Sequence, residues 1–305
     1  VVLEISAERR RDGSFAGSIE DNDAHAFRGR LDMQLAMTNG SSKTLLPSGR
    51  LRPWVTSVTV MSVGSMPERT FTRLPNGNSS LVMCVDDEAV KLVAVGPNDR
   101  ASYKRSSSIP FYARLSFRPG AARTLLGVVA SDLANRMVSV DDLWGNRATR
   151  LREALHVAGR NEDAAVRVLE SVLLERLETS RDVQAATHGM QLAHRALEAL
   201  DCDDPSSVND LASRLGVSER RLRQFFSDEI GVSPKRMARI ARIRRAVSRV
   251  GRVGWARLAA DTGFYDQAHL NAEFRALLGV SPTNFARGNL PLPAPLHALR
   301  DVCPT

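Results

Sequence analysis

Two short groups of side chains stand out for what they could touch. One is Arg220, Arg221, Arg223 and Gln224; the other is Gln267, His269 and Asn271. Guanidiniums and carboxamides present paired hydrogen-bonding groups in a fixed geometry. They can form bidentate pairs with base edges in a major groove, or bond phosphate oxygens. A helix could carry such groups on one face only if its opposite face were buried.

The surrounding residues supply that second face. In the first group Leu222, Phe225 and Phe226 fall on the inner side, and Ser218 is placed to N-cap the helix. A preceding helix is expected from Val208, Leu211, Ala212 and Leu215, ended by Gly216, which accepts a left-handed backbone. The second group repeats the plan. Trp255, Leu258 and Ala259 mark a first helix, Gly263-Phe264-Tyr265 a turn, and Asp266 to Arg275 a second helix with Leu270 and Phe274 inward.

The repeat is regular. Leu211-Ala212 and Gly216 recur 47 residues later as Leu258-Ala259 and Gly263; Leu222, Phe226 and Gly231-Val232-Ser233-Pro234 recur 48 later as Leu270, Phe274 and Gly279-Val280-Ser281-Pro282. The second copy therefore holds one extra residue in its turn. Such periodicity marks a duplicated structural unit, here a helix-turn-helix. Ser233-Pro234 is a start signal for a helix joining the copies, with serine as N-cap and proline first. Running to about Val250, it would be ~25 Å long at 1.5 Å per residue. Charge follows the repeat. Residues 206–290 hold 15 Lys+Arg and 7 Asp+Glu, whereas the rest of the chain balances at 27 of each. A basic excess confined to one segment is the footprint of a nucleic-acid partner. Its densest run is Lys235, Arg236, Arg239, Arg242, Arg244, Arg245, Arg249 and Arg252.

With both units and both Gly-Val-Ser-Pro signatures in place, the segment Ser206–Arg287 resembles the DNA-binding domain of the AraC/XylS family of transcription regulators. The run Gly263-Phe264-Tyr265-Asp266-Gln267-Ala268-His269-Leu270 is especially close to the family's second unit. The resemblance spans about a quarter of the chain. It implies two recognition helices laid into neighbouring major-groove segments, ~34 Å apart on one DNA face. The groove contacts it implies are Arg220, Arg221, Arg223 and Gln224, then Gln267, His269 and Asn271. Ala268 and Ala272 stand where some relatives carry longer polar side chains, so the second unit would read fewer bases. The implied partners are a promoter operator in double-stranded DNA, RNA polymerase for an activator, a small-molecule effector in the N-terminal domain and a second copy as homodimer.

Upstream, the pattern changes to short strands. Val55 to Val60, Ser80 to Val85, Lys91 to Val95 and Phe111 to Phe117 are separated by Pro75-Asn76-Gly77-Asn78 and Gly96-Pro97-Asn98. They suggest a small barrel or sandwich, which can be hollow or solid. Leu74-Pro75-Asn76-Gly77, Phe117 to Ala122 and Val140 to Gly145 resemble the N-terminal domain of one branch of the same family, implying sensing or oligomerisation. The family more often has aspartate at Asn76. The turn at Arg118-Pro119-Gly120 could hold an anion on its amides, though a structural turn is the plainer reading. From Thr149 to Leu200 two apolar stripes, Val166 to Leu177 and Leu192 to Leu200, would close a core or pair subunits.

The expected fold class is thus α+β: a small β-barrel or sandwich-like N-terminal domain with helices, then an all-α domain of two helix-turn-helix units on a linker helix. The expected divisions are a loosely ordered extension 1–42, an N-terminal domain 43–200, a linker 201–207, the double helix-turn-helix 208–288 and a proline-rich tail 289–305.

Other chemistry finds little support. Cys84, Cys202 and Cys303 are odd in number and far apart, which fits a reducing cytoplasm and no disulfide framework. His188 and His194 lie six apart, on different helix faces, so no metal pair forms. No hydrolase elbow, phosphate loop or zinc-protease motif occurs, and neither cofactor nor catalytic residue is expected. No apolar run reaches the ~18–20 residues of a membrane span. Two alternatives remain. DNA alkylation-repair proteins carry a related helix-turn-helix with a nucleophilic cysteine, but Cys84 precedes Asp86-Asp87-Glu88 and Cys202 lies among aspartates, the wrong surroundings for a thiolate. An interaction module that has lost DNA binding would show an acidic or apolar recognition face, against Arg220, Arg221 and Arg223.

Overall fold

In a computed structural model of the chain, the described residues are 4–5, 41–62, 69–85, 89–106, 111–180, 183–201 and 207–295. Strands β1 (Glu4–Ile5), β2 (Ser41–Leu45), β3 (Val55–Ser62), β4 (Arg69–Arg73), β5 (Ser80–Val85), β6 (Val90–Val95), β7 (Ser102–Ser106), β8 (Phe111–Phe117), β9 (Met137–Ser139) and β10 (Ala294–Pro295) form two sheets. One has the order β1-β4-β7-β10, the other β2-β3-β8-β5-β6-β9. The β-branched runs read from the sequence are the strands of the larger sheet. Its β5–β8 pair is antiparallel with Leu81 opposite Leu115 and Met83 opposite Ala113.

Strand alternation gives the larger sheet two different faces. Leu81, Met83, Phe111, Ala113, Leu115 and Phe117 join the main core. That core is closed by helices α1 (Ala122–Leu126), α2 (Ala130–Leu133), α3 (Val140–Trp144), α4 (Asn146–Ala158) and α5 (Glu162–Thr179). The stripe Val166, Leu169, Val172, Leu173 and Leu177 is buried in it, so this stripe is core. On the other face Val82, Cys84, Val93 and Val95 make a smaller apolar cluster with Tyr112 and Met137.

Helix α6 (Val183–Asp201) departs from the expected division at residue 200. Its Met190 belongs to the main core, whereas Ala193, Ala196 and Leu200 pack with Leu211, Phe226, Ile230 and Ile240 of the first repeat. One helix thus serves both domains. Periodicity shows which residues share a face, not which neighbour covers it. The second repeat has its own core of Ile243, Val247, Leu258, Leu270, Phe274 and Phe285, which also takes in Leu74 from the N-terminal domain.

Short strands occur near both ends of the described chain. The extension expected over 1–42 lies mostly outside the described residues, but β1 pairs antiparallel with β4. The tail is extended at Ala294–Pro295, where it adds a parallel strand to β7. The Arg118-Pro119-Gly120 turn is structural: the Gly120 amide donates to the Glu229 carbonyl at 2.9 Å.

Candidate nucleic-acid interface

The first unit begins at α7 (Val208–Arg214). Ser207 caps it reciprocally: its Oγ accepts from the Asp210 amide at 3.1 Å, and the Asp210 carboxylate accepts from the Ser207 amide and hydroxyl. Those bonds hold the Asp210 carboxyl below its ordinary pKa. Gly216, at φ +67°, turns the chain into α8 (Glu219–Phe225), whose N-cap Ser218 accepts from the Arg221 amide at 3.3 Å. Leu222 and Phe226 are fully buried, and Phe225 is half-buried with its edge on Phe226. The helix then widens into a single π-helical turn, Phe226–Ile230, closed by the Gly231 amide on the Phe226 carbonyl at 2.8 Å.

Arg220, Arg221, Arg223 and Gln224 are all exposed, on the side away from Leu222. Arg223 pairs with Glu219 one turn back, and Gln224 donates to Asp228 at 2.8 Å. Both bonds are solvent-exposed and so are weak enough to exchange for another partner. Among the described residues Arg220 and Arg221 make no ion pair.

The second unit consists of α10 (Trp255–Asp261) and α11 (Gln267–Leu278). Asp266 caps α11 through a 2.7 Å bond from the His269 amide. The extra residue of this copy falls between Gly263 and that cap. Gln267 is exposed, Asn271 half-exposed and Ala268 and Ala272 exposed, so two small side chains interrupt the polar face. His269 is half-buried: its Nδ1 accepts from the Tyr265 amide at 3.3 Å and its ring meets Phe264 edge-on at 5.4 Å. Only Nε2 is left to face outward chemistry. Tyr265, absent from the residues read as contacts, is 93% exposed at the head of this helix.

The rod between the units, α9 (Pro234–Arg249), starts as expected, with Ser233 accepting from the Arg236 amide and proline first. Its basic run, however, turns largely inward. Arg236 pairs with Asp99 at 3.2 Å, Arg239 with Glu273 at 2.9 Å, and Arg244 donates to the Pro75 carbonyl. Arg242 donates to the Gly263 carbonyl and lies 5.8 Å over the Phe264 ring, and Arg249 donates to the Asp261 carbonyl at 3.0 Å. Burial lowers the Arg242 pKa, with Arg245 and Arg239 adding to the shift and Glu273 opposing it. Lys235 and Arg252 remain exposed. The run is therefore chiefly a fastening between rod, second unit and N-terminal domain, in place of the solvated or DNA-facing stripe that charge alone suggested.

Among the described residues no cluster of three or more metal-ligating side chains occurs, and no helix is long and apolar enough to cross a membrane. Cys84 is buried.

In comparison with known proteins, residues 211–288 match the family described as "Helix-turn-helix domain". No curated protein matches the chain. Among solved structures, the chain is similar to ToxT from Vibrio cholerae, at 12% identity over 75% of this chain and 97% of that one, with a TM-score of 0.37. An unsaturated fatty acid-bound form of ToxT gives 13% identity over 82% and 97%, TM-score 0.34. The AraC-like transcriptional activator CuxR gives 16% identity over 68% and 87%, TM-score 0.20. Scores this low transfer no residue role. What the family match and the two capped units on one rod establish is that the C-terminal part of this chain is a helix-turn-helix domain of the AraC type, a DNA-binding module of transcription regulators.

Proposed function

We propose that the protein is a sequence-specific transcription regulator that lays α8 and α11 into successive major-groove segments of a promoter. The observation that carries this reading is the pair of independently cored, N-capped helices held on one 16-residue rod. Arg220, Arg221, Arg223 and Gln224 read or position the first segment; Gln267, Asn271 and the outer edge of His269 serve the second. With Ala268 and Ala272 between them, the second helix contributes more to backbone anchoring than to base readout. An effector acting through the N-terminal domain, and a second copy of the chain, complete the reading, with the complex formed on cytoplasmic DNA beside RNA polymerase.

Mapping the DNA bound by the protein across its genome tests the proposal and yields the operator. Binding should weaken steeply with salt, because each phosphate neutralised by a cation releases counterions; six contacts would cost about a thousandfold between 50 and 200 mM salt. A flat salt response would remove groove docking from consideration. The alkylation-repair alternative draws no support from Cys84, whose sulfur lies in an apolar cluster with Val82, Val93 and Val95.

A further inference from the structure

The two reading units have separate cores, and the rod is the element both share. A single helix fixes how far apart two bodies sit along its axis, but each body can still pivot about its own packing. Two segments of the N-terminal domain contact both bodies: the loop 74–78, and the loop 96–101 with the start of β7 that follows it. They are stapled to each other by buried Asn76 and Asn98. Their amides exchange main-chain bonds of 2.8 and 3.0 Å, and Asn76 Nδ2 donates to Asn98 Oδ1 at 3.0 Å. Both side-chain amides also donate to the Leu74 carbonyl, and Asn98 to that of Arg100 at 2.7 Å.

This stapled pair reaches all three parts of the reader. On the second unit, Leu74 enters the core, the Ala101 amide donates to the Leu277 carbonyl at 2.7 Å, and Tyr103 Oη donates to the Leu278 carbonyl at 2.6 Å. On the rod, Asp99 takes Arg236 by its carboxylate at 3.2 Å and by its carbonyl at 3.0 Å. On the first unit, Gly77 lies so near Ile230 that a Cβ there would stand 2.8 Å from its Cγ2, and a Cβ on Gly231 would meet Pro97 at 2.6 Å. Nearby, Arg123 pairs with Asp228 and Glu229 of the same unit.

We propose that the stapled loops are a spacer that sets the separation and relative tilt of the two recognition helices, and so determines which operator spacing the protein accepts. The inference rests on the DNA-reading function above. Operator spacing is a sharp readout, since one added base pair displaces the second half-site by ~3.4 Å and turns it by roughly a tenth of a revolution. Asp99, Tyr103 and Gly77 are positioning residues in this scheme and touch no DNA.

The test uses the full-length chain and a selected binding site rebuilt with the gap between its halves shortened or lengthened by one base pair. The wild type should lose about tenfold in affinity at either altered gap. The Asp99→Asn/Tyr103→Phe double variant, which keeps both side-chain shapes, should discriminate among the three gaps by less than about threefold while its base preferences inside each half stay the same. Gly77→Ala, which drives a methyl group against Ile230, should move the preferred gap or weaken binding at the native one by about fivefold. Full spacing discrimination in the double variant, or an unaltered profile in Gly77→Ala, overturns the spacer. So does a wild type that selects a sequence but is indifferent to the gap. A wild type that selects no sequence at all overturns the DNA-reading function itself, and the spacer with it.

Discussion

Arg239 on the rod grips Glu273 on α11 as a fork: Nε lies 3.2 and 2.9 Å from the two carboxylate oxygens and Nη2 3.0 Å from one. Both side chains are less than a third exposed, at 28% and 13%, so the pair is only partly screened. Glu273→Ala would strand the guanidinium against the helix and should cost roughly 1–3 kcal/mol of stability. Thermal melting measures the loss. Exchanging the charges in Arg239→Glu/Glu273→Arg should recover part of it, and an exchange as unstable as the single variant would show that geometry, not pairing, matters here.

Arg220 and Gln224 differ in what each would release on binding DNA. Among the described residues Arg220 makes no ion pair, whereas Gln224 would give up its bond to Asp228. Arg220→Ala should cost about 1–3 kcal/mol on the cognate site and relax preference at one base if it reads an edge. An equal loss on unrelated DNA would reassign it to phosphate. Competition binding on the two duplexes separates the outcomes.

Trp255 opens α10 and packs against the second unit's core, yet it is only half-buried. The 3–5 kcal/mol appropriate to a fully buried ring is therefore too large. Trp255→Ala should destabilise by about 1–2 kcal/mol, in proportion to the area it covers. Denaturant unfolding of the variant gives the number directly.

Alkaline pH should loosen the hold of the N-terminal domain on the second unit. Burial pushes the Tyr103 hydroxyl up to about 12, and it donates to the Leu278 carbonyl. A folded-state pKa above the unfolded value contributes stability that is complete below about pH 10 and is lost as pH rises through about 12, on the order of 2 kcal/mol. Arg73 titrates in the opposite sense nearby: burial, then the Arg114 charge, lower it to about 9. The comparison must therefore be with Tyr103→Phe, which should lack this alkaline loss. Identical alkaline profiles for the two proteins would exclude the hydroxyl.

Much of the helix-turn-helix domain is legible in the sequence. Ser218 and Ser233 are caps, Gly216 is a left-handed turn, and Arg220, Arg221 and Gln224 are exposed, because each depends on neighbours a few residues away. The partners of the basic run on the rod are not legible there, for the converse reason. A guanidinium's partner is chosen by what lies within reach in space, and Asp99 and Pro75 are more than 130 residues from the arginines they meet. His269 shows both sides: its place on the helix was readable, but the Phe264 contact and the Tyr265 amide that occupy its ring were not.

The sequence by itself determined two copies of a capped helix-turn-helix, a proline-led rod between them and the polar faces they show to solvent, since helical period and capping chemistry are local. Only the tertiary structure decided that α6 is shared between domains, that the rod's arginines fasten rather than face outward, and that loops around Asn76 and Asn98 lie between the two units. Those outcomes come from packing of surfaces far apart in the chain, where many partners satisfy the same local pattern and shape complementarity selects one.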